Sequence, residues 1–209
     1  MEIRFSPDVE FKITKDDGVV ERFDKAETGR IIWPAGICLS IFVLENMALF
    51  ERDCRVMELG AGIGFPSQVL SQHQISVCLQ DQRPNPRLPT GLQPLQRDWD
   101  VEFGCEYREQ FDWVLGADVT FDEGDFGKLL AVISLLLKPA GRAILAHHDR
   151  SIHYSLDAYL ELFNLRVVGN APFLEAINYS PGFYWFIDNN PYLEHHVYAP
   201  IQIIILRKA

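Results

Sequence analysis

The stretch Val56-Met57-Glu58-Leu59-Gly60-Ala61-Gly62-Ile63-Gly64 constrains this chain more than any other. An apolar run ends in an acid and passes into three alternating glycines. Pro66 then opens a helical pattern, at a place where a fixed φ and a missing N–H are tolerated. A strand, a tight loop and a helix are expected in that order. Glycine is required where a backbone must turn left-handed or come close to a ligand, and a helix N-terminus offers N–H groups to an anionic part of that ligand. The spacing also separates ligand classes. A dinucleotide loop wants G-x-G-x-x-G, but Phe65 stands where its last glycine belongs, and no Gly-Lys-Ser/Thr follows to make a phosphate loop. The pattern Glu58-x-Gly60-x-Gly62-x-Gly64 suits a nucleoside held without a pyrophosphate, with NAD as the alternative.

From Arg55 onward, short apolar runs alternate with helical stretches, the pattern of β-α-β units around a parallel sheet. Strands are expected near 55–59, 75–80, 93–97, 111–116, 141–146, 164–169 and 201–207, with helices over 65–73, 123–137 and 151–163. Another helix, opened by Pro34, should run to about Phe50. The closing run Ile201–Leu206 is continuous and β-branched, as in a buried central strand. The segment after Asp81, with its three prolines and a glycine, should be a loop where a doubly wound sheet normally supplies a helix. The 171–198 stretch reads as a long loop holding a strand around 183–187. Before the main domain, Asp16-Asp17-Gly18 suits a hairpin turn between Phe11–Thr14 and Val19–Phe23. The expected division is a hairpin extension over 1–27 and an α/β domain over 28–209.

Composition narrows the partners. Charged residues are 23% and hydrophobic ones 48% of 209, an ordinary globular balance able to bury one substantial core. A formal charge of −10 without a basic run argues against a nucleic-acid substrate. The four cysteines are widely spaced, without a C-x-x-C pair, and read as thiols of a reducing compartment: the cytoplasm, with the nucleus as an alternative. The N-terminus has no signal-peptide profile, and no apolar segment reaches the ~20 residues of a membrane span. No metal-ligand set is evident, and nothing fixes the oligomeric state.

Ligands of open α/β sheets bind outside the carboxyl ends of the strands. Glu58, Asp81, Asp98 and Asp118 each close an apolar run and should share that edge. Asp81 is placed to accept from ribose hydroxyls, or is a solvated loop acid. Asp98-Trp99 could supply an acceptor for an exocyclic amine and a flat face for a purine. Asp118 stands at the entrance for the reaction partner, or caps the following helix. His147, His148 and Arg150 follow the next strand on the same edge and either line that entrance or are solvated.

Together these residues resemble methyltransferase family 16, the lysine-methyltransferase-like group of seven-strand enzymes. The matching motifs are Trp33-Pro34-Ala35, the run from Met57 to Gly64, Asp98-Trp99, and Leu115-Gly116-Ala117-Asp118-Val119-Thr120-Phe121. The resemblance implies a Rossmann-like sheet with helices on both faces and S-adenosylmethionine as cofactor. It implies Gly60, Gly62 and Gly64 at the methionine part, Asp81 at the ribose, Asp98 and Trp99 at the adenine, Trp33 closing over the cofactor, and Glu58 and Ala117 among the other cofactor-binding residues. Asp118 and Phe121 fall at the catalytic positions. Relatives acting on lysine carry Asp-x-x-Tyr there, and Phe121 lacks that hydroxyl. The Asp-Val-x-Phe form resembles the branch of methyltransferase-like protein twenty-three, which implies arginine methylation of histones. The shortened segment after Asp81 departs from the family in lacking its helix and its asparagine, which implies looser ribose binding. The expected activity is methylation of a lysine or arginine side chain in a basic protein. A small-molecule methyltransferase, or a degenerate fold kept as a binding module, are the alternatives.

Overall fold

The computed structural model describes residues 2–6, 9–12, 33–83, 85, 88–89, 91–120, 123–148, 156–172 and 201–209. At its centre is a seven-stranded mixed sheet. The strands are β3 (Arg55–Leu59), β4 (Ser76–Asp81), β5 (Leu95–Gln96), β6 (Phe111–Ala117), β7 (Leu137–His148), β8 (Leu165–Pro172) and β9 (Ile201–Lys208), in the spatial order β5-β4-β3-β6-β7-β9-β8. The first five in that order are parallel, and β9 lies antiparallel between β7 and β8. The expected central strand is therefore central, but it reverses the direction of its neighbours. Its isoleucines feed both faces, Ile203 into one core cluster and Ile204 with Leu206 into the other, so it is buried on two sides like the parallel strands.

The same alternation runs through β3. Val56 packs on one face, and Met57 and Leu59 on the other. Helices cover both sides. On the Val56 face lie α1 (Pro34–Glu45) and α2 (Phe65–Gln72). On the other lie α3 (Val101–Glu106), α4 (Glu123–Leu136) and α5 (Leu156–Leu162). The α1 helix is buried almost all round from Pro34 to Val43, between sheet and α2. It stops at Asn46, whose side-chain amide donates 2.8 Å to the Phe42 carbonyl, short of the expected Phe50; a 3-10 turn over Met47–Leu49 fills the difference. No helix among the described residues is long and apolar enough to cross a membrane.

Three local outcomes differ from the sequence reading. The α3 helix was not expected, being only six residues long; Asp100 starts it by accepting from Phe103 N–H at 2.7 Å, a cap that stabilises a helix by about 1 kcal/mol. Strand β7 begins at Leu137, four residues early, because Pro139-Ala140-Gly141 is absorbed as an irregularity between the Phe111–Leu137 and Trp113–Arg142 pairs, with Ala140 at φ 62°. Near the N-terminus, β1 (Glu2–Ser6) and β2 (Val9–Lys12) form an antiparallel pair with Phe11 opposite Ile3. The expected turn at 16–18 and the strand around 183–187 lie outside the described residues. Within 82–94 the described residues carry no helix, as the prolines imply.

Candidate functional site

The parallel register carries β3, β4, β5 and β6 to one edge, so the ends of these strands do converge. The glycine loop joins β3 to α2. Gly60, Gly62 and Gly64 sit at φ 58°, 52° and 67°, the left-handed region that glycine reaches without strain. At Gly60 a Cβ would fall 2.8 Å from a Val119 methyl, and at Gly64 one would fall 2.8 Å from Leu88 and 2.9 Å from Leu79. The loop is thus wedged between the strand-end loop after β6 and the proline-rich segment after β4.

The loop amides are held by groups at the end of β4. Gly60 N–H donates 3.1 Å to Gln80 Oε1, Ala61 N–H donates 3.0 Å to the Gln80 carbonyl, and Gly62 N–H donates 2.8 Å to Asp81 Oδ2. Glu58 Oε2 accepts from Ser67 N–H, in the first turn of α2, at 3.0 Å. The helix N-terminus expected to greet an anionic ligand is therefore already met by a carboxylate of the chain at Ser67. Glu58 is 2% exposed, and burial pushes its carboxyl up to about 7, against the lowering effect of the Ser67 hydrogen bonds and helped by nearby Asp81. Its carboxyl thus lies inside the protein beneath the loop, where it braces α2.

Asp81 is half-buried, and its second oxygen accepts from Arg83 N–H at 3.1 Å. Asn85 comes from the proline-rich segment, is 4% exposed, and donates 2.8 Å to the Gly62 carbonyl. The segment thus brings an asparagine onto the glycine loop. A helix is not needed to deliver the amide, because Leu88 anchors the segment against Leu79 and Ala61. Trp99 is half-buried with Cζ2 3.4 Å from the Gly60 Cβ position, and its indole N–H donates 2.8 Å to Gln80 Oε1. Asp98 beside it is exposed. Gln80 was overlooked in the sequence because it precedes the more conspicuous Asp81. The only available signal was a carboxamide at the end of an otherwise apolar strand.

On the neighbouring strands, Ala117 closes β6 and Asp118 follows at φ 54°, 8% exposed, with its N–H donating 2.9 Å to the Ala146 carbonyl of β7. Aspartate tolerates this left-handed backbone better than most residues. Val119 turns back onto Gly60 and Gly116, and the Thr120 hydroxyl is hydrogen-bonded to His147 Nδ1. His147 is thereby tied to the loop carrying Asp118, although the sequence left it undecided. Trp33 is half-buried at the start of α1, where its carbonyl accepts from Gly36 N–H at 3.0 Å. Phe121, Arg150 and the side chain of His148 lie outside the described residues.

Several proteins to which the chain is similar are named as methyltransferases. Protein N-lysine methyltransferase METTL21A of Mus musculus is 29% identical over 119 residues, covering 51% of this chain and 54% of that protein. Histone-arginine methyltransferase METTL23 of Xenopus laevis is 24% identical over 159 residues, covering 66% of this chain and 65% of that protein. The chain thus spans less than two thirds of either relative's length. Among solved structures, the 1,6-didemethyltoxoflavin-N1-methyltransferase of Burkholderia thailandensis, with bound S-adenosylhomocysteine, superposes with TM-score 0.59 at 16% identity, covering 87% of this chain and 82% of that one, a likeness of fold. The lysine methyltransferase family matches residues 18–164, well over half of the sequence, and the chain belongs to that family.

Proposed function

We propose that the protein is an S-adenosylmethionine-dependent methyltransferase acting on a lysine or arginine side chain of a basic protein. The observation that carries this reading is the cradle of Gly60, Gly62 and Gly64, where added Cβ atoms at Gly60 and Gly64 would collide with neighbours, joined by direct hydrogen bonds to Asp81 and through Gln80 to Trp99. In this reading the loop holds the methionine part, Asp81 the ribose and Trp99 a face of the adenine. Asp98, exposed beside Trp99, meets the exocyclic amine, and Trp33 and Ala117 border the cleft.

S-adenosylmethionine supplies a methyl group already activated by its sulfonium. What remains for the chain is chiefly to align a nucleophile and exclude water. A lysine or arginine is cationic near neutrality and must give up a proton. Asp118, buried at the end of β6 with its backbone fixed to Ala146, is assigned to hold that cation and help remove the proton. Thr120 and His147 flank the same entrance, and in the sequence Phe121 takes the place of the tyrosine that would orient an amine. The net charge of −10 complements a basic substrate. A family relative named as histone-arginine methyltransferase supports arginine as the acceptor. The free thiols Cys38 and Cys54, both buried, suit a reducing cytoplasm or nucleus.

Calorimetric titration with S-adenosylmethionine, using Gly62→Arg as control, tests the reading. Micromolar binding by the wild type and none by the variant are expected, followed by transfer of labelled methyl to basic proteins. Absence of binding by the wild type overturns it in favour of a binding module. Cofactor binding with transfer only to small molecules overturns the protein-substrate part.

A further inference from the structure

We infer that Gln80 is a positioning residue of the cofactor cleft, locking the Trp99 indole and the glycine loop into one unit before ligand arrives. This rests on the methyltransferase reading above and deepens it. Gln80 is the penultimate residue of β4 and is 1% exposed, so it acts through its neighbours. Its single carboxamide serves three partners on two segments, the glycine loop and the stretch after β5. Oε1 accepts from Gly60 N–H at 3.1 Å and from the Trp99 indole N–H at 2.8 Å, and Nε2 donates to the Arg97 carbonyl just past β5. Its own backbone carbonyl takes the next loop amide, Ala61, at 3.0 Å.

The carboxamide orientation is determined by these partners. Turned over, it would face two N–H donors with its own N–H groups and a carbonyl with its oxygen. Burial of a carboxamide is unfavourable unless its hydrogen bonds are made, and an apolar residue would close a strand end without that requirement. What Gln80 adds is a rigid link between the loop and the aromatic face. The indole can lie against the loop because Gly60 has no Cβ; the position one would take is 3.4 Å from Trp99 Cζ2. Gln80 then fixes where along that surface the ring sits. A ring and loop fixed in advance lose less conformational freedom when the ligand binds.

The test is calorimetric titration with S-adenosylhomocysteine of the wild type, Gln80→Met, Trp99→Phe and the double variant, with melting temperatures measured alongside. Gln80→Met removes every polar atom at similar length, and Trp99→Phe removes the N–H while keeping a ring. We expect affinity to fall about 30-fold in Gln80→Met and about 10-fold in Trp99→Phe. The double variant should stay near 30-fold, because residues acting as one unit are not additive. A double variant weakened by the product of the two factors overturns the link, as does Gln80→Met binding within twofold of the wild type. If Gln80→Met does not fold, Trp99→Phe decides alone: wild-type melting with wild-type affinity overturns the proposal, and wild-type melting with weakened affinity supports it. A wild type that binds nothing overturns the methyltransferase reading itself, an outcome none of the variants can imitate.

Discussion

Glu58 and Asp112 are acids on neighbouring strands at opposite edges of one sheet, and they are treated in opposite ways. Asp112, at the start of β6, accepts from Lys138 Nζ at 2.7 and 2.9 Å and from Arg55 N–H at 2.9 Å. Partial burial raises its carboxyl, but the Lys138 and Arg55 hydrogen bonds outweigh that and hold it below the ordinary carboxylate range. Glu58, at the glycine-loop edge, is buried deeper, with a backbone amide for company, and sits at about 7. The Asp112 edge is neutralised and serves stability. The Glu58 edge keeps a costly acid beneath a loop of left-handed glycines, and a buried acid with a raised carboxyl beside a cleft is typical of working sites.

The comparison can be broken at four points. The largest effect is expected from Gly60→Val, which combines a left-handed β-branched residue with a clash at Val119. Binding of S-adenosylhomocysteine should be lost in calorimetry, and about 3 kcal/mol of stability with it, roughly 10 °C in Tm. Retained binding would remove the loop from the site.

Glu58→Gln comes next. A folded-state carboxyl raised to about 7 contributes stability that is present below its unfolded value, near 4.5, and is lost as pH rises through 7. Urea unfolding of the wild type should lose about 3 kcal/mol across that window, and the variant should run flat there. Parallel profiles would mean that Glu58 is ionised without penalty. Asp112 should act with the opposite sign, its contribution present above the unfolded carboxylate range and lost on acidification.

On the Asp112 edge, Gly141→Ala brings a Cβ to 2.9 Å from the Lys138 carbonyl. A fall of about 2 kcal/mol in unfolding free energy is expected, with ligand affinity unchanged. The smallest effect belongs to Lys138→Met. The pair is 40% and 32% exposed, so solvent screening limits its loss to about 1 kcal/mol in thermal unfolding. Loss of cofactor affinity in either variant would erase the distinction between the edges.

Much of this was readable along the chain. Hydrophobic period and turn residues placed β3, β4, β6 and β9, and the glycine spacing located the loop, because these signals are local: φ, burial pattern and proline act within a few residues. The short α3 escaped because six residues give no period. Strand β7 was read as starting late because Pro139 and Gly141 look like a turn when the bulge that absorbs them is not visible. The direction of β9 was equally hidden, since a β-branched strand reads the same whichever way it runs.

The site divides along the same line. The sequence by itself determined which strand ends carry acids and which loop needs glycine, because backbone conformation and strand alternation are encoded residue by residue. Only the tertiary structure decided what those groups do to one another. It turned Glu58 inward to brace α2, brought Asn85 onto Gly62, tied His147 to Thr120, and made Gln80 the meeting point of Gly60, Trp99 and Arg97. Hydrogen bonds between residues about twenty positions apart depend on which strands lie side by side, and that order is set by burial of the whole sheet.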